Sequence, residues 1–201
     1  MQSLIKEEQR YGRNKETVIN RAYIESGEYR KKFDRISNDA ELNKLLYQLA
    51  KKMLIHRSGT LYEDMYWIDP ETLQVVASET NCELEQRIVY SEATKRAIRG
   101  KEGLITIHTH PNSFPPSMED FNSNFKNRNA YGIICCHDGK LFRYSAFEQI
   151  AKETYIFYEK QYYNMFKDEC KAQEETWIKL TEFSQIKFEE VKYTHECMGR
   201  Y

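Results

Sequence analysis

Two histidines and an aspartate stand out in the segment Ile107-His-Thr-His-Pro-Asn-Ser-Phe-Pro-Pro-Ser-Met-Glu-Asp120. His108 and His110 lie two positions apart at the end of a short, apolar, β-branched run. Side chains alternate along a strand, so both imidazoles project to one side and can reach a single metal ion. Catalytic zinc takes three protein ligands, commonly imidazoles with a carboxylate, and keeps one position for water or substrate. Asp120 is the carboxylate that follows, at the start of the next expected helix. These residue types in this order point to one Zn2+ per chain on His108, His110 and Asp120, with one coordination position left for water. A purely structural origin competes with each half. A buried histidine is often a satisfied core residue, and Ser117-x-x-Asp120 is close to a capping box. Found together on either side of a proline-stiffened loop, the two halves favour a metal site.

The elements that must position these residues follow from periodicity. Leu42, Leu45, Leu46, Leu49 and Met53 recur on one helical face over 40–56, with Asp39 as N-cap. Residues 61–68 and 73–78 read as strands joined by the turn Asp69–Thr72, and 87–90 as a further short strand. Ser91 opens a helix over 92–99, and residues 104–108 form a buried strand. The stretch 109–116 holds three of the four prolines and is irregular. Ser117 caps a helix over 118–127. Strands 130–136 and 141–145 flank a turn centred on Asp138-Gly139. From 147 to about 193 the pattern gives one long helix, a shorter one and a final short strand. The order predicts an α/β fold with a mixed β-sheet flanked by helices. It divides into an N-terminal extension (1–38), a catalytic domain (39–146) and a C-terminal helical extension (147–201).

The His-x-His-Pro…Ser-x-x-Asp segment resembles the signature of the JAMM (MPN+) zinc metalloproteases. The match is tight over about 13 residues, and the element order over 40–146 agrees with the family more loosely. Six residues, 111–116, separate His110 from Ser117, one fewer than in the eukaryotic pattern; bacterial and phage relatives show this compact form. The resemblance implies an MPN/cytidine-deaminase-like architecture and cleavage of a peptide or isopeptide bond. It also implies zinc on His108, His110 and Asp120, with Ser117 supporting the tetrahedral intermediate. It further requires an upstream glutamate that takes a proton from the attacking water and returns it to the leaving amine. Glu63 and Asp64 fit by position and point to opposite faces of a strand. Glu63 shares its face with Leu61, Met65 and Trp67, where a carboxylate needs a reason to be, so Glu63 is the expected base.

The expected partner is a protein or peptide substrate, including a ubiquitin-like or tail-linked protein. Alternatives are a non-catalytic binding scaffold of the same fold, or an accessory or structural protein of a phage or mobile element. The latter rests on a loose likeness of Tyr23–Asp34 to phage head-morphogenesis and polymorphic-toxin proteins. With 30 basic and 31 acidic residues, the net charge of −1 argues against nucleic-acid binding. The longest apolar runs, 104–107 and 132–136, are too short for a bilayer, and the N-terminus lacks a signal-like apolar stretch. Five irregularly spaced cysteines read as reduced thiols, so a cytoplasmic location is expected. His56 is expected to be structural at a helix end, His137 exposed in a turn, and Cys135-Cys136 packed in a strand. His195 and Cys197 are weak metal candidates. The aromatics Tyr155, Phe157, Tyr158, Tyr162, Tyr163 and Phe166 are expected to pack on the sheet, with a homodimer through the C-terminal helices as the alternative.

Overall fold

The computed structural model describes residues 14–193. His195 and Cys197 lie outside the described residues. After a short 3-10 turn (Lys15–Thr17) come α1 (Arg21–Ile24), α2 (Gly27–Phe33) and α3 (Ala40–Arg57), then β1 (Met65–Asp69) and β2 (Gln74–Glu79). Next are α4 (Glu92–Ile98), β3 (Ile105–His110), α5 (Met118–Lys126), β4 (Tyr131–Cys136) and β5 (Leu141–Ala146). The described chain closes with α6 (Lys152–Phe166), α7 (Glu169–Leu180) and β6 (Ile186–Glu190). The strands form one sheet in the order β2-β1-β3-β4-β5-β6, with β3 and β4 parallel and every other neighbouring pair antiparallel. The fold class is therefore α/β with a mixed sheet, as expected. No helix among the described residues is long and apolar enough to cross a membrane.

Strand alternation divides the core. Tyr66, Ile68, Ile105, Ile107, Ile133, Cys135 and Leu141 point to one face and meet α3, whose Leu42, Leu46, Leu49 and Met53 are buried there. Asp39 caps α3 by accepting from the backbone N–H groups of Glu41 and Leu42. The segment read as an N-terminal extension adds Ile24, Tyr29, Phe33 and Ile36 to this same cluster. The opposite face carries two separate apolar clusters. Phe121, Ile134, Phe142, Tyr144, Trp177 and Leu180 form one, and Met65, Trp67 and Leu104 the other. The candidate site lies between them.

Four sequence expectations change. The strand predicted over 87–90 is irregular. Its Tyr90 stacks edge-on against Trp67 with centroids 4.8 Å apart, so the segment covers the face of the sheet and adds no strand to its edge. The predicted strand over 61–68 begins only at Met65, which leaves Glu63 and Asp64 just ahead of it. His137 is buried, with Nδ1 2.6 Å from the Thr17 carbonyl; the 3-10 turn folds over it. Of the α6 aromatics, only Tyr155 is buried, and Phe157 and Tyr163 are exposed. The reason is layering: α7 occupies the sheet face through Trp177 and Leu180, and α6 packs on α7.

Candidate metal centre

β3 runs through both histidines, and its parallel pairing with β4 places His108 opposite Ile134 and His110 opposite Cys136. The following loop turns sharply, with Ser113 in the left-handed region at φ 62°. The loop delivers Ser117 as N-cap of α5 and Asp120 at its third helical position. A reciprocal capping box forms there. Ser117 Oγ accepts from the Asp120 N–H (3.1 Å), and Asp120 Oδ2 accepts from the Ser117 N–H (2.7 Å). The Ser117 hydroxyl also donates to Asp120 Oδ2 at 2.8 Å.

The same carboxylate faces the histidines. His108 Nε2 lies 3.1 Å from His110 Nε2 and 3.4 Å from Asp120 Oδ1, and His110 Nε2 lies 3.6 Å from Asp120 Oδ2. Ligand atoms about 2.0–2.1 Å from a tetrahedral zinc stand about 3.3–3.4 Å apart. The observed separations bracket that figure, so the donor set fits a zinc-sized ion. Among the described residues this is the one such group of His, Cys, Asp and Glu side chains. His110 Nδ1 sits 2.8 Å from the Phe114 carbonyl. Donation from Nδ1 to that oxygen leaves the Nε2 lone pair free for a metal, the usual outer-shell arrangement of a metal-bound imidazole. His108 Nδ1 is buried without a hydrogen-bond partner among the described residues.

The site opens into a cleft of about 680 Å³ lined by Glu63, His108, His110, Ser117 and Asp120, and also by Thr106, Asn124 and Tyr144. Glu63 is buried and makes no ion pair among the described residues. Burial pushes its carboxyl up to about 7, opposed by His110 and reinforced by the negative charge of Asp120. Burial also raises the Asp120 carboxyl. The charge and hydrogen bond of His108, the charge of His110 and the Ser117 N–H outweigh it and hold Asp120 well below the usual carboxylate range. Glu63 and Asp120 are thus driven in opposite directions.

Asp64, one residue on, points to the other face. It receives Arg57 Nε at 2.5 Å and His56 Nδ1 at 2.7 Å, and is almost fully buried. Its backbone is tied to Thr109, the residue between the two histidines. The Thr109 N–H donates to the Asp64 carbonyl and the Asp64 N–H to Thr109 Oγ1, both at 3.1 Å. This double link sets the register of Glu63 against His108 and His110. Sequence reasoning named Asp64 only as the rival base and missed Arg57 and Thr109.

Other supporting residues also went unseen. Trp177 Nε1 and Gln173 Nε2 of α7 donate to the Pro116 carbonyl at 2.6 and 2.9 Å, pinning the loop between the ligands. A lone tryptophan in a polar helix signals a buried anchor, but a partner 61 residues away leaves no local pattern. Gly132 is a further requirement, since a Cβ there would lie 2.1 Å from Cζ of Tyr144, which lines the cleft.

No protein-family model, curated protein or solved structure matches this chain.

Proposed function

We propose that the chain is a zinc-dependent amide hydrolase, a peptidase or isopeptidase of the JAMM type. The observation that carries this reading is the convergence of His108, His110 and Asp120 at zinc-compatible separations, in a cleft that also holds a buried acid. His108, His110 and Asp120 would hold the ion. Zinc bound there would polarise the scissile carbonyl and make a water acidic enough to attack at neutral pH.

The remaining roles fall to the chain's own groups. Glu63 accepts the proton of the attacking water and hands it to the departing amine. A carboxyl held near 7 is suited to both transfers, because it loses and regains a proton close to neutral pH. Ser117 orients Asp120 through the capping box. It serves the oxyanion only when its hydroxyl turns from Asp120 Oδ2 to the substrate oxygen. Trp177 and Gln173 hold the loop that separates the ligands. The polypeptide enters along the open cleft.

Metal analysis of the purified protein beside His108→Ala and Asp120→Ala tests the core of the reading. Wild type carries one zinc per chain, and both variants fall to background. Zinc retained by either variant at the wild-type level sinks the assignment. Glu63→Gln keeps its zinc but cleaves peptide and isopeptide substrates on the order of 100-fold more slowly or worse. Wild-type turnover by that variant removes Glu63 from the role of base.

A further inference from the structure

The cleft does not end at the ligands. Tyr90, Glu119, Ser123 and Asn129 line both it and an adjoining second groove of about 840 Å³ between α4 and α5. Five cations line that groove, namely Lys95, Arg99, Lys101, Lys126 and Arg128, against the two carboxylates Glu102 and Glu119. The whole chain has a net charge of −1, so this local excess is a feature of the groove. Lys95 is paired with Glu92 at 2.8 Å, and Arg128 with Glu102. Arg99, Lys101 and Lys126 make no ion pair among the described residues, although Lys101 acts on the Asp69 carboxylate at longer range. At the cleft end, buried Asn124 accepts from the Ala146 N–H through Oδ1 and leaves Nδ2 without a partner among the described residues.

From this juxtaposition we infer that the groove binds an acidic segment of the polypeptide whose neighbouring bond enters the metal cleft. The inference rests on the hydrolase reading for what the cleft does, while the charge of the groove stands by itself. One extended chain can occupy both cavities, because they adjoin and share four lining residues. A chain cut at an amide bond is a polypeptide, so its anionic groups are Asp and Glu side chains. Nucleic acid is the less favoured occupant, since a chain of balanced charge lacks the broad positive field that draws phosphates. An exposed ion pair strengthens binding only about 1.4- to 5-fold. Three cations acting together therefore give a discrimination of about 3- to 100-fold, with 10-fold near the middle of that range.

The test is fluorescence anisotropy of a rhodamine-labelled, glutamate-rich peptide on the zinc-loaded full chain carrying Glu63→Gln, which slows cleavage. The comparison probes are its glutamine and lysine counterparts and a single-stranded oligonucleotide of equal charge. The glutamate peptide binds about 10-fold or more tighter than the glutamine peptide, the lysine peptide binds weakest, and rising salt removes the difference. The triple reversal Arg99→Glu, Lys101→Glu, Lys126→Glu abolishes the preference. The milder glutamine substitutions at these positions reduce it while leaving circular dichroism and zinc content at wild-type values. Equal binding of glutamate and glutamine peptides overturns the proposal, as does an unaffected triple variant or tighter binding of the oligonucleotide. The His108→Ala chain separates the two readings. A preference for glutamate that survives there while zinc content does not change refutes the metal site and leaves the groove standing. Zinc-dependent cleavage with no charge preference refutes the groove alone.

Discussion

The two faces of the sheet use the same strands to opposite ends. On the face covered by α1, α2 and α3, one continuous apolar cluster runs from Ile19 to Val191. The acid at its border, Asp64, is matched by Arg57 and His56. On the other face the apolar contacts split into two clusters, and the gap holds His108, His110, Asp120 and Glu63. Successive residues show the contrast most sharply: Asp64 is buried and paired, whereas Glu63 is buried and driven toward its neutral form. A face that closes completely stabilises the fold. A face left open, with a poorly compensated acid, costs stability and gains reactive groups.

Breaking the closed face should have the largest effect. Arg57→Met leaves the Asp64 charge buried with only His56, and urea unfolding should show a loss of about 3–5 kcal/mol. A loss below about 1 kcal/mol would mean that this face is not held by the pair. The open face should respond in the reverse sense. In metal-free protein, Glu63 has a folded value of about 7 against 4.5 for the ordinary side chain. The folded state therefore binds the extra proton between these values, and stability falls as pH rises from about 4.5 to about 7, by up to about 3 kcal/mol. Glu63→Gln should flatten that slope; an unchanged slope assigns it to another group. Asp120 has the opposite sign, since its carboxyl is held below the ordinary 3.8. Its contribution is present above that value and fades as pH falls through and below it, so Asp120→Asn should weaken the acid limb of the stability profile.

Two smaller substitutions refine the comparison. Gly132→Ala forces a methyl against the Tyr144 ring and should cost about 1–3 kcal/mol by overpacking. Because the displaced ring lines the cleft, the zinc affinity of this variant should fall along with its thermal midpoint. Trp177→Phe keeps most of the ring packing but removes one donor to the Pro116 carbonyl, which Gln173 still serves. A loss of about 1 kcal/mol is expected, with faster zinc release measured by chelator competition. Unchanged release would show that the 111–116 loop holds its shape without α7.

Much of the fold was legible because local signals agreed. The leucine spacing of α3 and its Asp39 cap, the Ser91 and Ser117 caps, and the Asp138-Gly139 turn each act over a few residues. The segment 87–90 misled because a short β-branched and aromatic run looks alike whether a chain adds to a sheet edge or lies across its face. The α6 aromatics misled for a related reason: composition marks a side chain as apolar without saying which layer it meets. His137 read as exposed because a turn usually is, yet a segment 120 residues distant folds over it.

For the candidate site, residue type and spacing alone named His108, His110 and Asp120 as potential ligands. Strand alternation and a helix cap are local rules, and they hold wherever the chain goes. The choice of Glu63 over Asp64 also followed from alternation, although both residues stand just outside the strand. Only tertiary structure decided what each acid meets. Arg57 neutralises one, burial lifts the other toward neutrality, and Thr109 ties the Asp64 backbone to the strand between the histidines. The anchoring of the proline loop by Trp177 and the joining of the metal cleft to a basic groove are likewise tertiary. Desolvation and charge depend on neighbours that the chain brings together across tens of residues, and no local pattern encodes them.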